Sequence, residues 1–425
     1  MLDIKLIRSE PKRVEELLRR KEPELSLAPV LELDERLRAA KTELEALQAK
    51  RNAASKEIGL KKRAGEDVAG VMAEMAQLAD RVHGLEHEAR ELEVRWDDAL
   101  AHLPNLPLEE VPVSQDPKDN VVLATWGERR RFDFAPKNHV ELNERLGLFD
   151  FVRGAKIAGS NWPCYRGVGA MLEWALIQFM MDRQRRRGFM QWIPPLVVQP
   201  KISRGSGQLP KFAGQQFHIS DPDYDLYLIP TAEVALLGLH YDEILPEESL
   251  PLRYVAYTPC FRREAGAAGA HERGLIRLHQ FNKVELFAFT TPEQSQGLFD
   301  EIVRSAQLIL EELEMHHRTM LLVTGDTSWA SQRTLDIEVW LPGQNRYYEV
   351  SSVSHCGDFQ ARRSHIRYRS KESGRPELVH TINGSGLATS RLMVALLENN
   401  QQPDGSVIVP NALRPYLDGM DRIAS

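Results

Sequence analysis

Two runs of apolar residues near the amino terminus follow coiled-coil spacing and constrain the fold more than any other feature. Both alternate steps of four and three residues, with Arg51 in the one polar place of the first run. The runs are Leu33, Leu37, Ala40, Leu44, Leu47, Ala54 and Ile58, then Val71, Met75, Leu78, Val82, Leu85, Ala89, Leu92 and Trp96. Paired antiparallel, they keep one register that centres the turn between Ala64 and Gly65. The sequence therefore predicts an antiparallel helical hairpin.

The half of the hairpin nearest its turn is basic. This half carries six cations and a single acidic residue, Glu57. The cations are Lys50, Arg51, Lys56, Lys61, Lys62 and Arg63. Each arm spans about 26 residues, or about 40 Å, so we expect a thin element that projects from a separate body. The cations either bind nucleic-acid phosphates or are solvated flanks of the coiled coil. Arg51 favours the first interpretation because a purely structural seam would carry leucine there.

A proline-rich stretch follows the hairpin. Pro104, Pro107, Pro112 and Pro117 exclude a helix or a central strand. We therefore predict a hairpin arm over residues 1–103, a linker over 104–125 and a separate domain over 126–425.

Composition restricts the class of protein. The 425 residues are 42% hydrophobic with a formal net charge of −7, which disfavours indiscriminate nucleic-acid binding but allows a local basic patch. Charges in every turn of the first 20 residues exclude a secretory or transit signal, and no apolar run approaches a membrane span, so we predict a cytoplasmic protein without membrane contact. Cys164, Cys260 and Cys356 lack the spacing of zinc ligands and are expected to be buried, reduced thiols.

The remaining chain reads as a helix followed by many strands. The run "GAMLEWALIQFMMDRQRRR" predicts a helix that Gly188 ends. Few helices are expected between Gly188 and the carboxyl terminus, because several runs there consist of β-forming residues. They are "YLIP", "RYVAYTPCF", "GLIRLHQFNKVELFAF", "TLDIEVWLP" and "RYYEVSSVS". The fold class is therefore α+β, an antiparallel sheet flanked by helices.

Two of these strands carry charged faces. In a strand that starts at Gly274, Arg277, Phe281 and Glu285 share one side, and Arg262 and Glu264 share a side of the strand before it. Arginine forks bind phosphates and a phenyl ring stacks on a base. A cross-strand ladder of ion pairs explains the same pattern.

A glycine-rich stretch near the carboxyl terminus, "NGSGLATSR", matches neither nucleotide-binding fingerprint. We expect a glycine-rich turn followed by a helix with Arg391 in its first turn. Because cations are disfavoured at a helix amino terminus, Arg391 is predicted to serve a ligand.

Together these stretches resemble the class II aminoacyl-tRNA synthetases, and among them the bacterial seryl-tRNA synthetases, over essentially the whole chain. "RRRGFMQWIPPLVV" is similar to motif 1, "FRREAGAAG" with "GLIRLHQFNKVE" to motif 2, and "NGSGLATSRLMVALLE" to motif 3. The pieces that point to serine are "MLDIKLIR", "KRNAASKEIG", "GSGQLPKF", "PTAEV" and "EVSSVSHCGDFQARR". The fold class becomes a coiled-coil hairpin plus a class II catalytic domain.

The resemblance implies a role for each matching residue. Arg262, Glu285 and Arg391 would be catalytic. ATP would be bound by Arg262, Glu264, Arg277, Leu278, Phe281, Glu349, Val350, Ser351, Ser352 and Arg391. Arg262 would meet the α-phosphate, Arg277 and Arg391 the outer phosphates, and Glu264 the adenine edge, with adenine between Phe281 and Arg391. Mg²⁺ would be held by Glu349 and Ser352. Serine would be bound by Thr231, Ala232, Glu233, Arg262, Glu285, Asn383 and Ser385. The six cations of the hairpin would bind tRNA.

Several residues have a structural explanation as well. Thr231 follows a proline and suits a helix cap, and Asn383 and Ser385 suit a turn. Two stretches depart from the family pattern: Ala270-His271-Glu272 in the motif 2 loop, and "SHCGDF" for the commoner "SNFTDF". The first could alter contacts with the acceptor end of tRNA.

The implied reaction is serine–tRNA ligation by a homodimer, with L-serine, ATP, Mg²⁺ and tRNA(Ser); charging of tRNA(Sec) is left open. One competing interpretation is an adenylating ligase for another carrier, but shortened relatives of that kind lack the hairpin. The other is a coiled-coil interaction protein on an inactive body, which would be expected to have lost Arg262, Glu285 or Arg391.

Overall fold

The computed structural model describes residues 1–264 and 274–425. The described chain divides into two compact units, one made of Leu2–Arg19 and Pro23–Leu103, the other of Met1, Arg20–Glu22 and Pro104–Ser425. The unusual motif 2 residues 270–272 lie outside the described residues. Among the helices of the described chain, none is long and apolar enough to cross a bilayer.

The first unit contains the predicted hairpin. Its four helices are α1 (Ile4–Ser9), α2 (Pro11–Arg19), α3 (Ala28–Ala64) and α4 (Ala69–Ala101). Leu37 and Ala40 of α3 pack against Ala89 and Leu92 of α4, which confirms the register derived from the heptads. α3 ends where Gly65 takes the left-handed conformation at φ 74°, which glycine adopts without strain.

The second unit is an α+β domain. Its helices are α5 (His139–Leu146), α6 (Phe151–Ala158), α7 (Val168–Arg186), α8 (Pro200–Ser206), α9 (Ala232–Gly238), α10 (Pro292–Glu312), α11 (Phe359–Ser364) and α12 (Thr389–Asn400). Its strands are β1 (Val121–Trp126), β2 (Phe149–Asp150), β3 (Cys164–Tyr165), β4 (Met190–Trp192), β5 (Val197–Val198), β6 (His218–Asp221), β7 (Tyr224–Leu228), β8 (Ile244–Pro246), β9 (Leu252–Phe261), β10 (Gln280–Thr290), β11 (His317–Leu321), β12 (Arg333–Leu341), β13 (Arg346–Gly357), β14 (Arg367–Arg369), β15 (Pro376–Leu378), β16 (His380–Ala388), β17 (Val407–Ile408) and β18 (Arg422–Ile423).

An eight-stranded sheet forms the centre of this unit, in the order β1-β11-β12-β13-β16-β10-β9-β4. Neighbours are antiparallel except β4 and β9, which run parallel. On β10, Val284 and Leu286 enter the larger core with α7, α10 and α12, whereas Phe287 and Phe289 enter a second core that includes residues of α9. The predicted core face of β10 is therefore confirmed, and helices cover both faces of the sheet.

Three details of the predicted elements are wrong. β10 begins at Gln280 rather than Gly274, and β9 ends at Phe261, before the two charged residues that were assigned to it. The glycine-rich stretch after His380 lies in strand β16 instead of a turn. Close packing explains the glycine at position 384, since a Cβ there would come 2.5 Å from Ile302.

Between β10 and β11 the structure has a helix of 21 residues, α10, which the strand-rich interpretation missed. Its start carries a recognisable signal: Thr291 and Gln294 form a capping box, with Pro292 as the first helical residue. Of the three cysteines, Cys260 and Cys356 are buried as expected, but Cys164 is half-buried.

Candidate active site

A cavity of about 530 Å³ opens among β10, β13, β16, the start of α9 and the segment that follows β9. A smaller hollow of about 60 Å³ shares four of its lining residues: Arg262, Glu264, Arg277 and Glu349. Five of the predicted serine-binding residues line only the larger cavity, and they are Thr231, Glu233, Glu285, Asn383 and Ser385, whereas Arg262 lines both. Phe281, Leu278 and Arg391 line only the smaller hollow. The site thus has two ends joined by a strongly charged centre.

The larger end is built from adjacent strands and a helix start. Glu285 of β10 lies opposite Ser385 of β16 in the ladder, so both side chains enter the cavity together. Thr231 is the residue that caps α9: its hydroxyl accepts a hydrogen bond from Glu233 N at 3.3 Å. The same hydroxyl donates to Glu285 Oε2 at 3.3 Å. The cap and the predicted substrate contact are therefore compatible in one side chain.

Glu233 is half-buried and held by two amides. Gln360 Nε2 and Asn383 Nδ2 donate to its Oε1 at 2.6 Å and 3.2 Å. Burial, with the nearby negative charge of Glu285, raises the pKa of Glu233 to about 7. Near neutral pH this carboxyl can therefore act as a hydrogen-bond donor or as an acceptor.

Ion pairs link the charged residues of the centre. Arg277 Nη1 lies 2.6 Å from Glu264 Oε2, and Arg391 Nη1 lies 2.6 Å from Glu349 Oε2. Neither is a rung between facing strand residues, because Arg277 and Glu264 lie beyond the strand ends and Arg391 is on α12. Ion pairing is therefore present in a form that differs from the predicted cross-strand ladder. Its groups line the cavity, where a polyanion can reach them.

Two arginines of the site lie over aromatic rings. Arg262 lies over the Phe281 ring, with its Cζ 5.1 Å from the centroid. Arg391 lies over Tyr348 at 5.0 Å instead of facing Phe281. Both Phe281 and Arg391 line the smaller hollow, which is where the adenine was predicted to lie.

The residues predicted to hold magnesium offer hard oxygen ligands. Burial raises the pKa of Glu349, but Arg391 outweighs that effect and lowers it overall, so the carboxylate is anionic at neutral pH. Ser352 lies opposite Asp336, whose own pKa is raised well above its usual range by burial and by Glu349. A carboxylate and a hydroxyl fit Mg²⁺ that takes its other ligands from phosphates and water. No group of three or more His, Cys, Asp or Glu side chains suited to a metal occurs in the described part of the chain.

Some predicted site residues lie outside the cavity walls. Ala232, Val350 and Ser351 have buried side chains that do not line it, and Ser351 Oγ instead donates to Ser385 O at 2.6 Å. They can contribute only backbone groups.

The six predicted tRNA-binding cations are in the hairpin unit. Lys50, Lys56, Lys62 and Arg63 are exposed. Arg51 is half-buried at its seam position, and Lys61 pairs with Glu57 at 2.8 Å.

Sequence reasoning missed Lys283. It lines the larger cavity, is only 7% exposed and donates to Thr231 Oγ1 at 2.9 Å. The sequence contains a pattern that could have identified it: Lys283 precedes Glu285 by two residues, and alternate residues share a strand face.

Comparisons with known proteins agree with this geometry. Residues 1–107 match the seryl-tRNA synthetase N-terminal domain, and residues 217–400 match the tRNA synthetase class II core domain (G, H, P, S and T). A serine–tRNA ligase of Chlamydia abortus is 52% identical over 421 residues, 99% of each chain.

Two solved structures are similar over the whole chain. The seryl-tRNA synthetase of Pyrococcus horikoshii complexed with ATP is 39% identical, with a TM-score of 0.91 over 100% of this chain and 99% of its own. The cytoplasmic serine–tRNA ligase of Naegleria fowleri in complex with AMP is 27% identical, with a TM-score of 0.86 over the same shares. The chain belongs to the seryl-tRNA synthetases, a family of class II aminoacyl-tRNA synthetases.

Proposed function

We propose that this chain is a serine–tRNA ligase that works at the cavity among β10, β13 and β16. It activates L-serine with ATP to seryl-adenylate and pyrophosphate, then transfers the seryl group to the 3′ end of tRNA(Ser). The observation that carries the proposal is the division of the cavity into a polar end lined by Thr231 and Glu285, a charged centre and a hollow lined by Phe281. Its relative from Pyrococcus horikoshii, 39% identical, is complexed with ATP.

In the first step a serine carboxylate oxygen forms a bond to the α-phosphorus of ATP, and the bond to the pyrophosphate oxygen breaks. Thr231 and Glu285 hold the serine ammonium, and Arg262, at the boundary of both hollows, neutralises charge on the α-phosphate. Arg277 and Arg391 bind the outer phosphates. Orientation and charge neutralisation supply the acceleration, so no general base is assigned.

Magnesium belongs to the same proposal. Glu349 and Ser352 would hold the ion, which neutralises phosphate charge when bound. With the ion bound, Glu349 would serve as its ligand and Arg391 would be available to the phosphates.

Serine recognition follows from polar groups at the larger end. Ser385 and Asn383, both less than 10% exposed, and the carboxyl of Glu233 surround the space next to Glu285. A site that hydrogen-bonds a substrate hydroxyl rejects alanine because its own groups would be left unpaired. Threonine is rejected by the limited space around Cβ.

The hairpin supplies the tRNA contact in this proposal. α3 has 37 residues, so at 1.5 Å per residue it is about 55 Å long. Exposed Lys50, Lys56, Lys62 and Arg63 lie on its second half, where they suit the phosphates of the long variable arm of tRNA(Ser). The proposed enzyme charges tRNA for translation in the cytoplasm. A charging assay with tRNA(Sec) decides whether that tRNA is a second substrate.

The proposed enzyme is a homodimer. Trp174, before motif 1, and Ile193, within it, are 55% and 86% exposed and line an apolar groove of about 610 Å³. Large exposed apolar surfaces of this kind mark protein interfaces. A second copy of the chain is the proposed occupant.

Serine-dependent exchange of labelled pyrophosphate into ATP, without tRNA, tests the function. We expect exchange with L-serine and little with L-alanine or L-threonine. Equal exchange with all three would refute the serine assignment, and no exchange with any amino acid would refute the activity. Transfer is then measured with tRNA(Ser) transcripts and tRNA(Sec) in parallel.

A further inference from the structure

Lys283 is a buried cation in the part of the cavity assigned to serine. Its side chain forms an ion pair with Glu285 Oε2 and donates to Thr231 Oγ1 at 2.9 Å. Thr231 also donates to Glu285 Oε2, so one carboxylate oxygen serves both neighbours. These two acceptors are the same groups that the proposed function assigns to the ammonium of serine.

Two ammonium groups next to one carboxylate oxygen repel each other strongly in a site of low dielectric. Serine binding therefore requires Lys283 either to leave Glu285 or to gain a second anion close by. Serine brings such an anion itself, because it is a zwitterion whose carboxylate is two bonds from its ammonium nitrogen.

The backbone of Lys283 is held between two neighbouring strands. It lies opposite Thr258 of β9 in a regular ladder and opposite Ala388 of β16, where the register shifts between Lys283 and Glu285. The side chain is an unbranched stem of four carbons, so its ammonium can change partner without any movement of the strand. A change of partner at this position is thus a rotation of one side chain.

The other cations of the cavity have different positions. Among the described residues that line it, the cationic ones are Arg262, Arg277 and Lys283. Arg262 and Arg277 also line the smaller hollow, whereas Lys283 lines only the larger cavity, with Thr231 and Glu285. Of the three, Lys283 is the cation confined to the larger cavity, whereas Arg262 reaches both hollows.

We propose that Lys283 is a further substrate-contacting residue. When serine binds, the Lys283 ammonium releases Glu285 and Thr231, which then bind the substrate ammonium, and it pairs with the serine carboxylate. This inference rests on the proposed function. The contact selects amino acids with a free carboxylate. It also reduces the repulsion between that carboxylate and the α-phosphate as the oxygen–phosphorus bond forms.

The test compares two ligands in one variant, Lys283→Met, which keeps the length of the side chain and removes its charge. L-Serine has the carboxylate, and L-serinamide has the same ammonium and hydroxyl with an uncharged amide. We expect the Kd of serine to rise about tenfold or more, because a charge-assisted hydrogen bond is removed, while the Kd of serinamide stays unchanged or falls, because only the repulsion between the two ammonium groups is lost.

A residue that merely holds Glu285 in place would give a different result. In that case both ligands would lose affinity by the same factor, and this result would overturn the proposal. ATP affinity of Lys283→Met checks its fold, and Lys201→Met, at an exposed lysine near Tyr241, is the matched control with no expected change. If Lys283→Met fails to bind ATP, the Kd values of serine and serinamide are measured instead for Lys283→Gln, whose side chain is an uncharged donor.

The failure of this inference differs from the failure of the proposed function. Absence of serine-dependent exchange in the unmodified protein refutes the function. Normal exchange in the unmodified protein, together with equal losses for serine and serinamide in the variant, refutes only the role of Lys283.

Discussion

Arg391 and Glu349 are joined by two hydrogen bonds: Arg391 Nη1 donates to Glu349 Oε2 at 2.6 Å and to the Glu349 carbonyl oxygen at 3.1 Å. The first residue belongs to the initial turn of α12 and the second to β13. Both carry predicted roles at the phosphates of ATP. The pair therefore aligns two groups that are predicted to bind ATP, and Arg391 keeps the carboxylate anionic by lowering the pKa of Glu349.

Arg391→Ala should reduce serine-dependent pyrophosphate exchange by about a hundredfold or more, because it removes charge stabilisation at the phosphates and leaves Glu349 unpaired. Arg391→Lys should lose less, since it keeps the charge but not the two-pronged geometry. Arg369→Ala, at an exposed arginine, serves as the control with unchanged exchange. Near-normal exchange in Arg391→Ala would assign this arginine to structure alone.

Glu285→Gln should raise the KM for serine by about tenfold or more and leave the KM for ATP within about twofold, because the carboxylate is assigned to the serine ammonium. Steady-state exchange at varied serine and varied ATP separates the two constants. Glu372→Gln, at an exposed glutamate, is the control. A rise of both constants by the same factor would contradict an ammonium contact.

Glu233 should make stability fall as pH rises. Its folded pKa of about 7 lies above the ordinary value of 4.5, so the folded state holds the proton more tightly than the unfolded state. The associated stability is present below pH 4.5 and is lost as pH rises towards 7. Between about pH 5 and pH 8, wild type should therefore lose about 2–3 kcal/mol relative to Glu233→Gln. Urea unfolding of both proteins at the two pH values measures this difference, and parallel pH dependence would show that Glu233 ionises normally.

Charge reversal at Lys56, Lys62 and Arg63 should raise the KM for tRNA. The salt dependence of tRNA binding should also weaken: the slope of log K against log salt concentration should change by about 0.9 for each phosphate that the hairpin no longer binds. Pyrophosphate exchange with serine should stay unchanged, because the hairpin is a separate unit. The same reversal at Arg90 and Arg95, which are exposed on α4, is the matched control. If the control raised the tRNA KM equally, the effect would be general charge repulsion.

Deletion of residues 33–96 should preserve exchange but abolish efficient charging of tRNA. A short connector can replace them, since Leu33 and Trp96 pack against the same cluster. The ratio of charging to exchange is the measurement. Normal charging at low tRNA concentration would make the hairpin a structural or partner-binding element.

Ile193→Lys should convert the proposed dimer to a monomer, because it places a charge on an apolar surface that is 86% exposed in the single chain. Sedimentation velocity measures the change, and Val94→Lys, at a position 71% exposed on α4, should have no effect. A wild-type protein that sediments as a monomer would refute the dimer directly.

The sequence predicted the hairpin in detail because its signal is local. Apolar residues three and four apart share a helix face, and two such faces of equal length have one antiparallel register. The motifs also predicted that Arg262, Arg277 and Glu285 would meet in one site. Period-two reasoning from Gly274 was nevertheless wrong, since residues 274–279 are irregular and β10 starts at Gln280.

The sequence by itself thus determined the hairpin, the α+β class and most charged residues of the cavity, whose types and spacings are visible in the chain. Only the tertiary structure decided how those charges are partnered: Arg391 with Glu349, Lys283 with Glu285, and Glu233 with a pKa of about 7. The physical reason is that pairing and desolvation depend on which distant segments come within a few ångströms, and no local pattern records those distances.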